Sequence, residues 1–208
     1  IPVGKAAIQQ LGATHHFEVD TTSDAGYFTR EKLRPYAAVV FLNTTGDVLN
    51  NEQQLAFQQF IQDGNGFAGI HAATDTEYDW PWYGNLVGAY FGAHPHQQDA
   101  VLHVNNRNTI ATSHLPEVWK RKDEWYNFKW FTKEKVNVLI SIDEGSYDAG
   151  KGKMGTSHPM SWYHQFDGGR SFYTELGHTD ESYADPLYLQ HLLGGLQYVM
   201  GMKQMIKE

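Results

Sequence analysis

The stretch Gly64-Asn65-Gly66-Phe67-Ala68-Gly69-Ile70-His71-Ala72-Ala73 reads as a short buried strand ending in a sharp turn, with an imidazole at its carboxyl end. In open α/β sheets, ligands bind outside the carboxyl ends of central strands. Some α/β enzymes carry a nucleophilic Ser or Cys on such a turn. Here the position holds His71 and the chain contains no cysteine, which excludes thiol chemistry. The glycines at 64, 66 and 69 have the dinucleotide-binding spacing, but they precede and occupy the strand instead of opening a helix.

Working outward, residues 37–42 (AAVVFL) form a continuous apolar run, as expected of a strand buried on both faces. A helix is expected over 51–62, with Leu55, Phe57, Phe60 and Ile61 inward and Gly64 as its left-handed cap. Earlier still, residues 3–11 suggest a short amphipathic helix closed by Gly12, residues 16–19 an edge strand, and Thr29 the cap of a helical turn ending near Pro35. This βαβ alternation predicts a parallel sheet with helices on both faces. Such a sheet normally opens with a central strand, so a first strand is expected upstream of Ile1.

The second half reads differently. Residues 101–104, 136–141, 160–166 and 171–176 look like strands, the last two joined through Asp167-Gly168-Gly169-Arg170, a hairpin signal. A final helix starts with Asp185 as cap and Pro186 in first position, carries an apolar stripe through Leu189, Leu192, Leu193, Leu196, Val199 and Met200, and ends at Gly201. No repeat, low-complexity tract or linker interrupts the 208 residues, so one domain over 1–208 is expected.

A formal charge of −8 disfavours nucleic acid and anionic membranes as partners, and no run approaches the roughly 18 apolar residues of a membrane span. Six Trp and twelve Tyr serve as core payload and also suit sugar stacking or a small-molecule pocket. The chain is compatible with a homo-oligomer, and its lack of cysteine with either an oxidising or a reducing compartment.

Chemistry centres on two histidines. His178 follows a strand ending in Leu176-Gly177, so it and His71 can converge on one crevice as a catalytic or metal-binding pair. The bland alternative is that each imidazole only hydrogen-bonds a loop backbone. Asp75, four residues past His71, is placed to orient the imidazole or merely to cap a helix. Glu124, between aromatics in Asp123-Glu124-Trp125-Tyr126, is a candidate general acid or base or a solvent-facing strand residue. His94 and His158 rank behind them, and Trp80, Trp82, Tyr126 and Trp162 are candidates for sugar stacking. Imidazoles with carboxylates suit a zinc-like divalent metal on His71 and His178.

In the motifs 64–73, Tyr90-Phe91-Gly92-Ala93-His94-Pro95, 123–126, His158-Pro159-Met160-Ser161-Trp162 and 169–178, the chain resembles the trehalose-utilisation (ThuA-like) family, a branch of the class I glutamine-amidotransferase-like superfamily. The resemblance covers nearly all of the chain. It implies a flavodoxin-like three-layer α/β sandwich with a mostly parallel central sheet. It puts His71 at the elbow where amidotransferases carry their cysteine, and His178 where they carry the triad histidine. Thr179-Asp180-Glu181 follows His178 where amidotransferases have Pro-Glu. The family also usually begins with a strand and a His-containing loop before the position of Ile1. The resemblance implies a carbohydrate-catabolic enzyme acting on trehalose-like disaccharides or their keto derivatives. The residues suit His/carboxylate acid–base chemistry, with a small-molecule carbohydrate as partner. Two other readings stand beside it: a non-catalytic sugar-binding protein on the same scaffold, and a metal-dependent hydrolase of a non-sugar substrate.

Overall fold

A computed structural model describes residues 1–131 and 135–207. Its core strand is β2 (Gly66–Ile70), buried at every position. On either side lie β1 (Ala38–Leu42) and β9 (Gly169–Thr174), both parallel to β2. The sheet continues antiparallel through β8 (Pro159–Phe166), β7 (Asn137–Ile142), β4 (Gln98–Val104) and β5 (Val118–Asp123). The full order is β1-β2-β9-β8-β7-β4-β5. The chain is thus α/β as expected, but the sheet is mixed and mostly antiparallel instead of mostly parallel. The cause is local: Asp167 and Gly168, with φ of 49° and 92°, make a two-residue turn that folds β9 straight back on β8 without a crossover helix.

Helices cover both faces of the parallel part. Phe67 points to α3 (Asn51–Gln62) and α4 (Pro81–Val87), where it meets Phe41, Phe57 and Tyr83 ring to ring. Gly66 faces α5 (Pro186–Val199), whose Val199 backbone leaves no room there for a side chain. The first helix, α1 (Pro2–His15), packs beside α5, and Thr29 caps α2 (Arg30–Leu33) as expected. A separate ribbon of β3 (Ala89–Ala93) and β6 (Asn127–Phe131) lies outside the main sheet.

Several boundaries differ from expectation. The first helix runs through Gly12 to His15 and is closed by His16 in the left-handed conformation, so residues 17–19 form no strand. Leu55 is exposed, and Ala56 takes its place in the buried stripe of α3. In β1 only Phe41 is buried, because this strand ends the sheet among the described residues and has a neighbour on one side only. Strands β3, β5 and β6 carry no clean alternation: β5 reads Val-Trp-Lys-Arg-Lys-Asp.

Candidate active site

The parallel strands β1, β2 and β9 end together, and each runs into a left-handed residue within three positions. Asn43 has φ 53°, His71 has φ 48° and Gly177 has φ 108°. Positive φ in a non-glycine residue persists only where its surroundings enforce it. At His71 they do. The Tyr173 hydroxyl donates to the His71 carbonyl at 2.7 Å, and the Tyr83 hydroxyl donates to that of Ala73 at 2.6 Å. Gly177 is required because its φ is positive and a Cβ there would run into the Tyr188 hydroxyl.

The strand ends bring together three residues named from sequence. His71 Nδ1–H donates to the Glu175 carbonyl at 2.7 Å, and since a carbonyl only accepts, this fixes the proton on Nδ1. Nε2 then faces inward, 3.2 Å from Glu124 Oε2 and 3.1 Å from His178 Nδ1. The third edge, His178 Nδ1 to Glu124 Oε2, is 3.2 Å. The triangle is closed from behind and open in front: His71 is 1% exposed, while the His178 side chain is 36% exposed. His94 joins at the mouth, its Nδ1 3.3 Å from Glu124 Oε1. Burial pushes the Glu124 carboxyl up, but a proton shared with His71 and the positive charge that His178, His71 and His94 carry when protonated outweigh it and hold the pKa below the ordinary value.

Tyr126 stands over the imidazole of His71 with ring centroids 4.2 Å apart, and Phe91 packs on Tyr126 at 4.3 Å. These two rings and His94 form one aromatic cluster beside the triangle, with Tyr126 buried and His94 exposed. His158 lies one layer behind. Its Nε2–H donates to the Tyr126 carbonyl at 2.7 Å, and Nδ1 meets Glu144 Oε1 at 2.9 Å. Burial lowers the His158 pKa, against the pull of those two acceptors.

Other candidates stand elsewhere. Asp75 accepts from the Tyr78 hydroxyl, and the group that orients His71 is the Glu175 carbonyl. Trp82 Nε1–H donates to Asp167 in the β8–β9 turn, at the end of the sheet opposite His178. Trp80 stacks on Trp82 and packs against Phe57. Trp162 is fully buried, donating to the Val87 carbonyl, and presents no face to a sugar. Bulk and apolar character drew all three into or against the core. Sequence reading missed Phe91 and Glu175, although both lie inside motifs it singled out.

Glu175 is fully buried beside this centre. Its Oε1 accepts the Tyr126 N–H at 2.9 Å, and burial with the nearby Asp123 raises its pKa well above the ordinary value.

The family model described as trehalose utilisation (ThuA) matches residues 1–199. The chain belongs to the ThuA family. Among solved structures it is similar to a putative ThuA-like protein of Bacteroides uniformis, at 25% identity and TM-score 0.80, over 94% of this chain and 82% of that one. A putative ThuA-like protein of Parabacteroides merdae matches at 20% identity and TM-score 0.79, over 100% and 87% of the two chains. A cytoplasmic protein of Salmonella typhimurium shares the fold at 12% identity and TM-score 0.67, over 98% and 87%. No curated protein matches. The fold is consistent with the amidotransferase-like superfamily, and the ThuA elbow here holds a histidine. No helix among the described residues is long and apolar enough to cross a membrane.

Proposed function

We propose that this ThuA-family chain is a carbohydrate-catabolic enzyme acting on trehalose-like disaccharides or their keto derivatives, with His71, Glu124 and His178 as its reacting centre. The observation that carries the reading is the triangle of His71 Nε2, His178 Nδ1 and Glu124 Oε2, with edges of 3.1 and 3.2 Å. The His71 proton is committed to a carbonyl, so His71 Nε2 and Glu124 Oε2 meet as acceptors, and a proton carried on His178 Nδ1 or another positive centre has to lie between them. Shared protons can fill that role, and so can a metal cation.

The donor set fits a divalent cation of the zinc type: two imidazole nitrogens, one carboxylate oxygen and an open side toward solvent. The edges are close to the ~3.3 Å expected between ligand atoms of a tetrahedron with bonds near 2.0 Å. A backbone carbonyl fixing the distal imidazole nitrogen is the usual outer support of such a ligand. A bound cation would polarise a hydroxyl or keto oxygen of the sugar.

The chain's own groups supply the rest. Glu124 Oε1 faces His94, whose half-exposed ring can pass protons between the carboxylate and solvent. Phe91 and Tyr126 offer an apolar wall to one face of a sugar ring. The acidic chain suits a neutral polyol better than a phosphorylated ligand.

The test is turnover of trehalose and of its keto derivative, followed by product NMR, for wild type, Glu124→Gln and His178→Ala, each with added zinc and after chelation. Turnover in wild type and its loss in both variants supports the reading. Disaccharide binding without turnover in wild type would make the chain an accessory sugar-binding protein. Full activity after verified metal removal would leave the proton-sharing form of the triad.

A further inference from the structure

Asp123 is fully buried at the end of β5, and both of its oxygens are occupied. Oδ1 accepts the N–H of Glu124 at 3.1 Å. Oδ2 accepts the N–H of Gly177 at 3.1 Å, the Ser182 hydroxyl at 2.9 Å and the Arg121 guanidinium at 3.2 Å. Arg121 is held in turn by Asp185, the cap of α5, at 3.5 Å, and lies over the Trp119 and Tyr188 rings. One carboxylate therefore joins the backbone next to Glu124 to the backbone next to His178.

Sheet pairing alone does not bring these segments together. β5 lies four strand positions from β9 in the sheet order, about 19 Å in a flat sheet at ordinary strand spacing. The end of β5 has to curl back over the sheet to deliver Glu124, and Asp123 is the polar anchor where it lands. An asparagine would keep the size but turn one acceptor into a donor. At least one of the four N–H or O–H groups would then face another donor in a dry site.

We propose that Asp123 is a positioning residue: by tying Glu124 to the Gly177–His178 loop, it sets the spacing between the Glu124 carboxylate and the two imidazoles. The inference rests on the reading of that triad as the reacting centre. A buried ion pair that only stabilised the fold would leave the centre intact in any variant that still folds.

The experiment pairs zinc titration calorimetry with imidazole ¹⁵N resonances of the metal-free protein, for wild type, Asp123→Asn and Val199→Ala, the last a core change distant from the site. Expected for Asp123→Asn is a loss of zinc affinity of about tenfold or more, with shifted His178 and His71 ring resonances. Val199→Ala should leave both unchanged at a comparable loss of thermal stability. A folded Asp123→Asn protein with wild-type affinity and unmoved resonances overturns the proposal. If wild type binds no zinc, the metal reading fails, and the resonances of the metal-free variants still decide the role of Asp123. If Asp123→Asn does not fold, Ser182→Ala, which keeps the ion pair, carries the test. Roughly fivefold weaker zinc binding with shifted resonances supports the clamp, and no change in either measurement overturns it.

Discussion

His71 Nε2 and His178 Nδ1 lie 3.1 Å apart although 107 residues separate them in sequence. They meet because β2 and β9 are parallel neighbours with Ile70 in register with Thr174, so both chains leave the sheet at the same edge. With Glu124 they form a three-atom cluster, and loss of one member should be felt as loss of a ligand. His178→Ala is expected to weaken zinc binding more than about 100-fold, beyond the usual effect of removing an outer support. Calorimetry against the unchanged fold, checked by circular dichroism, measures it; affinity within about threefold of wild type would remove His178 from the centre.

Gly177 should tolerate no side chain. At φ 108°, an alanine would be strained and would press on the Tyr188 hydroxyl. Gly177→Ala is expected to cost about 1–3 kcal/mol from backbone strain alone. Because the next residue is His178, zinc affinity should fall with it. Thermal unfolding and zinc titration of the same sample give both numbers, and an unshifted melting temperature would contradict the account.

Acid should destabilise the fold through its buried neutral histidines. Burial lowers His164 to about 4 and His191 to about 3, from an ordinary value near 6.5. The unfolded chain takes up protons near pH 6.5 while the folded chain refuses them until lower pH. Stability is therefore full above about pH 6.5 and falls progressively between there and pH 4, by roughly 3 kcal/mol for His164. Urea midpoints at pH 7, 6, 5 and 4.5 trace this. His164→Gln should flatten the His164 part of the slope, and an unchanged slope would refute the assignment.

Glu175 has the opposite sign. Its raised value makes its contribution complete below the ordinary carboxyl range and lost as pH rises through the folded value. Glu175→Gln keeps an acceptor for the Tyr126 N–H and carries no charge. It should match wild type in urea stability near pH 4 and exceed it by a growing margin at pH 6 and pH 9. Equal loss in the two proteins at pH 9 would show that another group is responsible.

The aromatic residues divide by position. Trp82→Phe removes the bond to Asp167 and should lower stability by about 1 kcal/mol with no change in disaccharide affinity. Phe91→Ala opens the wall beside Tyr126 and should weaken disaccharide binding severalfold. Equilibrium binding of trehalose or its keto derivative to both variants separates them; the reverse ranking would move the sugar to the far end of the sheet.

The parts legible in sequence were those where one residue type has few alternatives. The short buried strand β2 with its turn at His71, the helix at 51–62, the Asp-Gly turn and the Asp185-Pro186 helix start all stand where pattern placed them. So do the two histidines that follow strand ends. Strand direction was not legible, because nothing in β4, β5 or β7 distinguishes antiparallel pairing from a crossover until the hairpins are closed. Nor was the polar scaffold of the site. Asp75 is nearer to His71 in sequence than Glu175 is, yet the carbonyl of Glu175 arrives through the neighbouring strand and takes the orienting role. Tryptophan composition pointed to stacking platforms, but burial claimed Trp162, and the rings beside His71 are the smaller Tyr126 and, packed on it, Phe91.

The ribbon of β3 and β6 hydrogen-bonds to no strand of the main sheet among the described residues, yet it supplies Phe91 and follows directly on Tyr126. His71 and His178 are rooted in the main sheet, whereas Phe91 and His94 are rooted in the ribbon. Under the proposed function, sequence change in the ribbon is expected to alter which ligand fits without moving His71 or His178, whose positions are set by β2 and β9.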